Sequence, residues 1–510
     1  MGFALIEIQI PVNYSEQELF NFIKKNIGHE KFSYQIERKS LDARNKRAIH
    51  WNMQIGVSSD ALKAEKTNIE KLEIPYLKTD EKIVVVGMGP AGYFAAYILC
   101  LAGFKVKLIE QGKKVEERHK DIVSFEKNGS LNEMSNYAFG EGGAGTYSDG
   151  KLTSRTKSIS LERNFIFDTY IKAGAPEEIR YLSSPHIGSN NLAKMMPQLR
   201  KMLLDVGCEI SFDTSINGIN IKNNRVIEVS SDTNVFNAQQ FVFAPGHSNF
   251  KTYKMLIERG VLFRTKAFAI GTRAEHHQHI INKAMWGLEK VEGLKAAEYK
   301  LTHQNKIQCD VYSFCMCPGG KVVQATSLSN TSVVNGMSNY LRNSPFANAA
   351  IVAGIHPDKL FGKNVTALQA IEGLNSLERI FYDLSGNYNA PACLISDFIQ
   401  NKTSKILPQS SYPFELFPHN FKNLLPEIIL LSLKSALKDF CVKIKGYESG
   451  ILIGLESKTS SPIQAIRGEN RNCEEIDNLY ICGEGSGYAG GIVSSAADGI
   501  KAALSIINKM

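Results

Sequence analysis

Ile83 to Glu110 reads IVVVGMGPAGYFAAYILCLAGFKVKLIE, which spells a complete βαβ unit of the dinucleotide-binding kind. Ile83 to Val86 is a continuous β-branched run, the pattern of a parallel strand buried on both faces. It feeds into Gly87, Gly89 and Gly92 at G-x-G-x-x-G spacing. Gly87 permits the tight turn, Gly89 lets the backbone approach a pyrophosphate, and Gly92 lets the next helix pack on the strand. That helix opens on Pro90 and Ala91, with proline suited to a first turn where no N–H is needed. Its unpaired N–H groups and dipole stabilise a pyrophosphate. The second strand, Lys105 to Ile109, ends in Glu110, near the spacing at which a carboxylate reaches an adenosine ribose. The same acid would repel a 2′-phosphate, so NADP is not expected in this unit.

A second glycine-rich turn lies far away, in LYICGEGSGYAGGIVSSAADGI, Leu479 to Ile500. An apolar strand here runs into Gly483 and Glu484. The stretch resembles two-dinucleotide-fold flavoproteins, in which a late strand followed by Gly-Glu presents a carboxylate to the ribitol chain and the next helix points at the flavin ring. Gly490, Gly491 and Ile492 then open a helix of small residues. Positive partial charge at its N-terminus suits the anion that develops on a reduced flavin. The two segments together point to FAD, and the alternative for the second alone is a close-packed glycine corner.

At 510 residues the chain is too long for one core, so two or three domains are expected. With 43% hydrophobic and 22% charged residues it has the composition of a soluble globular protein. A net charge of +8 over this length leaves room for an anionic ligand but is no nucleic-acid signature. No apolar run reaches the roughly 18 residues of a membrane span. Nine cysteines without a framework, and no leader pattern, point to a reducing cytoplasm.

The expected fold is α/β: a discontinuous Rossmann-like FAD-binding domain, an inserted α+β substrate domain and a small N-terminal α+β, ferredoxin-like module. Residues 1–60 form the module, with strands near 4–10, 34–40 and 49–57 and a serine-capped helix at 15–25. Its charged turn, Arg38 to Arg47, reads as an RNA-contacting loop or a solvated hairpin. Residues 61–79 are a linker, with helix expected somewhere in 58–80. The FAD-binding domain takes 80–260 and 446–510, and 261–445 the substrate domain. Between them, NYAFGEGGAGTYSDGK, Asn136 to Lys151, offers Gly142, Gly143, Gly145, Gly150 and Lys151 to the cofactor, or is a surface loop. Strand Phe241 to Ala244 closes on Pro245 and Gly246, leading back towards the cofactor. No further G-x-G-x-x-G follows a strand in 261–445, so a separate nicotinamide fold is not expected.

These motifs together resemble an uncharacterised family of FAD-dependent dehydrogenases within the two-dinucleotide-binding-domain, glutathione-reductase-related flavoproteins. The matching stretches span nearly the whole chain: VVVGMGPAGYFAA, FGEGGAGTYSDGKLTSR, SPHIGSNNL, FAIGTRAEHHQ, YSFCMCPGGKVV, VNGMSN, LESKTSSPIQAIR and CGEGSGYAGGIVSSAADGI. The resemblance implies FAD and an oxidoreductase, with no substrate attached. Arg118, eight positions after Glu110, matches a glutamate-then-arginine spacing of that group and is expected to support the cofactor region. Gln111, Pro245 and His277 depart from the family pattern without removing a cofactor glycine.

Candidates for chemistry are Cys315 and Cys317, as a redox pair, pocket lining or buried packing, and His186, facing flavin or capping a helix. Glu275-His276-His277-Gln278-His279 invites a metal, but a strand would put only His277 and His279 on one face, and no metal site is expected. Arg273, Lys300, Arg342 and Arg467 are possible anion clamps, and Thr459, Ser460 and Ser461 possible cleft residues. The leading reading is a hydride-transferring oxidoreductase acting on a small, anionic substrate, with an unidentified electron partner and no membrane or nucleic-acid partner. The alternatives are a flavin-dependent RNA modifier or RNA-binding protein and a non-catalytic FAD-stabilised scaffold.

Overall fold

The structure, a computed structural model, describes residues 2–64, 70–154, 156–305 and 307–510. Five of the linker positions, 65–69, thus lie outside the described residues, as do Arg155 and Lys306. The helix expected within 58–80 is not found among the described ones. Pro75 disfavours helix at the residue before it, and 70–81 run without regular structure.

The N-terminal strands Gly2–Pro11, Ser33–Asp42 and His50–Ser59 form an antiparallel sheet with the third strand in the middle. Helix Glu16–Ile27 starts on a reciprocal capping box, Ser15 Oγ accepting from Glu18 N at 3.2 Å and Glu18 accepting from Ser15 N at 2.7 Å. Leu19 and Ile23 bury against Ile8, Ile10 and Ile55. Among the described residues this is βαββ, short of the helix and strand that would complete a ferredoxin-like module. The basic turn is used internally. Lys39 lies 4.8 Å from the Tyr14 ring and 4.5 Å from that of Trp51, Arg44 pairs with Asp42, and Lys46 donates to Ala284 O at 2.6 Å. The RNA reading gains no support from it.

The βαβ unit folds as read. Lys82–Val86, Pro90–Leu101 and Lys105–Ile109 are strand, helix and strand. The strands join Glu209–Ser211, Gln240–Phe243 and Leu479–Ile481 in a five-stranded, wholly parallel sheet. Alternation along each strand feeds two cores. Ile83, Val85, Val242 and Tyr480 face the helices Pro90–Leu101 and Ile492–Ile507. Val84, Val86, Phe241 and Phe243 face the opposite layer, built on the antiparallel strands Gly218–Lys222, Arg225–Ser230 and Val235–Asn237.

A second, seven-stranded sheet has Phe268–His277 at its centre, flanked by Phe346–Ile355 and Ile451–Glu456. Helices Ala367–Asp383 and Glu427–Lys443 supply its apolar cover. Ile451–Glu456, within the 446–510 stretch expected to form the second part of the FAD-binding domain, lies in this sheet, antiparallel between Phe268–His277 and Ala390–Leu394. The chain returns to the parallel sheet only after Glu456. A fully buried apolar run reads alike in either sheet, and its partners are set by tertiary packing.

Candidate functional site

A cleft of about 1740 Å³ runs between the two large sheets. That exceeds the usual range for one small ligand, roughly 300–1,000 Å³. Both glycine turns open on it. Gly87, at φ +98°, sits so close to its neighbour that a Cβ would lie 2.4 Å from Ala244 O. A Cβ on Gly92 would meet Gly87 O at 1.8 Å, so this glycine packs inside and does not face the cleft. Gly89 differs: an added Cβ would find only Gly143 Cα at 3.8 Å, and its bare backbone lines the cleft beside Pro90 and Ala91. Across from it the helix Ile492–Ile507 begins after Gly490 and Gly491, also on the cleft wall. Gly499, unremarked in the sequence, lets the two helices touch, since a Cβ there would lie 2.0 Å from Ala91 O.

The loop Asn136–Lys151 is held from behind. Arg118 is fully buried and donates to the carbonyls of Asn136 (2.9 Å), Tyr137 (3.1 Å), Glu141 (2.8 Å) and Gly143 (3.0 Å). It shapes the loop rather than reaching the cleft. Glu110 lines the cleft, and its carboxylate accepts from Met88 N at 2.7 Å and from Gly112 and Gly140 N at 2.9 Å. The residue read as a ribose acceptor thus also ties both glycine segments together. Gly143, Gly145 and Gly150 line the cleft, while Gly142 sits in a small apolar pocket beside it.

At the loop's end the sequence concealed an ion cluster. Asp149, 1% exposed, pairs with Arg342 at 2.7 Å and bonds Ser338 Oγ, with Lys151 Nζ 4.0 Å away. Burial alone would lift the Asp149 carboxyl, but Arg342 and Lys151 overrule it and hold it below the usual range. Lys151 also pairs with Glu298 at 3.2 Å and donates to Met316 O. Nothing local marks Asp149, because Arg342 is distant in sequence. His186 does not line the cleft. Its Nε2 lies 3.1 Å from Tyr340 O, and burial pushes its pKa down to about 4, which suits a neutral structural histidine.

Gly483 N donates to Asp498 at 2.9 Å, and Asp498 pairs with Arg467 at 2.7 Å. Asp498 is the one acidic residue of the helix Ile492–Ile507, which is the only mark the sequence gives of it. Arg467 is thereby occupied within the protein. Glu484 turns to the cleft, with His247 Nδ1 4.0 Å from its carboxylate. Burial, reinforced by Cys315 and opposed by Lys266, lifts the Glu484 carboxyl to about 7. Burial also pushes His247 down to about 3, and its Nε2 finds no partner among the described residues. Gly246 precedes it on the cleft wall, accepting from Tyr253 OH at 2.8 Å. An orphaned imidazole nitrogen, a polar carboxyl and bare glycine backbone fit a polar, phosphate-bearing ligand such as FAD.

Cys315 lines the cleft and Cys317 is buried behind it. Arg273, 0% exposed, donates to Glu456 at 2.8 Å and to Cys315 O at 2.9 Å, so it is a buried support rather than a substrate clamp. Thr459 and Ser460 line the cleft, and Ser461 is buried outside it. In the histidine run, His276 Nε2 lies 2.9 Å from Tyr447 O, and His277 and His279 stack at 5.6 Å. Among the described residues no group of three or more metal-ligating side chains gathers, and no helix is long and apolar enough to cross a membrane.

Parallel sheet, paired glycine turns and cleft define an α/β FAD-binding fold. A family model described as "FAD-dependent protein, C-terminal domain-like" matches residues 267–459. A protein of Clostridium beijerinckii (strain ATCC 51743 / NCIMB 8052), described as an uncharacterized protein, is 36% identical over 527 residues, covering 98% of each chain. Solved structures match more loosely. CtdE in complex with FAD is 12% identical over 84% of both chains, with a TM-score of 0.34. Glycine oxidase from Bacillus cereus ATCC 14579 is 12% identical over 84% of this chain and 96% of its own, also with a TM-score of 0.34. The chain belongs to the same family as this Clostridium beijerinckii protein, its residues 267–459 carry the C-terminal domain of FAD-dependent proteins, and FAD is its cofactor.

Proposed function

We propose that the cleft holds FAD along its floor and exchanges a hydride between flavin and a small anionic substrate. The observation that carries this reading is the convergence of two helix N-termini, preceded by Gly89 and Gly491, on one cleft. Gly89 and Gly143 would present backbone to the pyrophosphate, Glu110 would face the ribose, and Glu484 the ribitol. Gly490, Gly491 and Ile492 would face the ring. Arg118 and Asp149 act as positioning residues for the loop. When bound, FAD supplies the two-electron acceptor or donor. The protein's part is to orient it, exclude water and set charge around it.

Within this reading, residues 1–60 are a module at the cleft's rim, 80–260 and the chain beyond Glu456 bind the cofactor, and the region between shapes the substrate site. The nine cysteines are all free, which favours a reducing cytoplasm as the compartment. Purified protein should be yellow, with one FAD per chain, and Gly89→Val or Gly491→Val should lose the colour. Full FAD retention by both folded variants would overturn the site. Anaerobic titration with NADH and NADPH then identifies the donor. Rapid bleaching would mean a nicotinamide docks without its own fold; flavin reducible by dithionite alone would leave the substrate as the electron source.

A further inference from the structure

We propose that Cys315 and Cys317 form a dithiol–disulfide couple that exchanges two electrons with the FAD held in the cleft, Cys315 facing the cofactor and Cys317 resolving behind it. The proposal rests on the cofactor placement given above. Three geometric observations carry it. First, the strand Val311–Cys317 bulges where these residues lie: Phe314 pairs with Ala350 and Cys317 with Asn348, which leaves one residue too many on the cysteine strand. Bulges of this kind gather beside active sites, where they re-aim side chains. Cys315 sits within the bulge at φ +44°, a left-handed conformation uncommon for a residue with a side chain.

Second, the bulge brings Cys317 back against Cys315: the Cys317 thiol donates to Cys315 O at 3.3 Å. Only Cys315 lines the cleft, so one thiol is accessible to a ligand and the other is not.

Third, buried cations surround the pair. Arg273 Nη2 lies 3.6 Å from Cys317 Sγ, and Lys151 holds the carbonyl of the intervening Met316. The neighbouring Cys317 side chain draws the Cys315 thiol below its ordinary range against the effect of burial, with Arg273 and Lys151 adding to it, while Asp149 opposes. Glu484 and Glu456 face the same sulfur, and each is lifted in part by its negative charge. Thiolate character at the accessible cysteine with its partner protonated behind is the arrangement of a reactive dithiol.

The exchange balances without another reactant. Two S–H bonds break and one S–S bond forms; the pair of electrons and two protons pass to oxidised flavin, giving reduced flavin. The reverse step returns them. The couple doubles the electron capacity of the holoenzyme.

The test is an anaerobic dithionite titration of the FAD-loaded protein with alkylation and mass mapping of its nine cysteines before and after. Oxidised protein should leave two thiols fewer to alkylate, with the crosslink inside the peptide that holds both residues. Reduction should consume twice the electrons that FAD alone needs. Cys315→Ser and Cys317→Ser should each fall to the flavin's own demand per FAD bound, and Cys317→Ser should add a long-wavelength thiolate–flavin absorbance band. A parent that takes up only the flavin's electrons, with all nine cysteines alkylated in both states, overturns the couple and leaves the flavin site standing. Protein that binds FAD while Gly89→Val and Gly491→Val bind it equally well overturns the site reading instead.

Discussion

A methyl group added at Gly89 and one added at Gly92 have opposite consequences, although the glycines stand three residues apart. At Gly92 the methyl meets a carbonyl at 1.8 Å, so strand and helix must separate. Gly92→Ala should cost about 2–4 kcal/mol of stability. At Gly89 it projects into the cleft, where Gly143 Cα is 3.8 Å away. Gly89→Ala should keep the fold and weaken FAD binding, read as an unchanged apoprotein melting temperature beside a raised Kd. Glu484 carries a pH signature. Its carboxyl is lifted from 4.5 to about 7 in the folded protein, so the stability it contributes is full below about pH 4.5 and lost as pH rises through about 7. Glu484→Gln apoprotein should lack this decline, a difference of about 3 kcal/mol across the window in urea unfolding. His247, depressed to about 3, pulls the other way below pH 6.5, so the comparison is between variant and parent at each pH. Equal slopes would show that Glu484 titrates normally.

Among the elements, the loop Asn136–Lys151 is fastened by Arg118 and Glu110 in its first half and by Asp149 at its end. Asp149→Asn would leave Arg342, 8% exposed, with Glu298 at 3.8 Å as its remaining counter-charge. Loss of about 3 kcal/mol and earlier flavin release on heating should follow, measured by FAD fluorescence. Release at the parent's temperature would mean the Arg118 and Glu110 contacts are enough to hold the loop. The cofactor turns were legible because their information is local: glycines, a β-branched run and a closing acid all fall within one stretch. The capping box at Ser15 and Glu18 was partly legible for the same reason. What was hidden depends on distant partners. Asp149 needs Arg342, Arg118 needs four carbonyls of a folded loop, and the strand Ile451–Glu456 shows its sheet only through Phe268–His277 and Ala390–Leu394. His186, read from its place before a helix as facing flavin or capping, has its ring held against Tyr340 O.

For the whole molecule, the cleft continues past the glycine turns to a rim shared by the N-terminal module and the body. Arg38, Arg163, Arg180 and Lys300 line it beside Glu37 and Asp310. The turn from Arg38 to Arg47 thus divides. Lys39 and Arg44 are engaged within the module and Lys46 ties it to Ala284 of the body, while Arg38 is exposed and faces the cleft. An excess of positive charge at the opening of a low-dielectric cleft raises the local concentration of anions and speeds their arrival. This predicts how solutes reach the bound flavin. Iodide should quench flavin fluorescence more efficiently than neutral acrylamide of the same accessibility, and about 0.5 M salt, where the Debye length falls to a few ångströms, should remove most of the advantage. Arg38→Glu with Lys300→Glu should lower the iodide quenching constant several-fold and leave acrylamide quenching unchanged, because both side chains lie at the surface, away from the core. Equal loss for both quenchers would mean the substitutions close the opening sterically. No change for either would move the route of access elsewhere and remove the rim's claim to select anionic substrates.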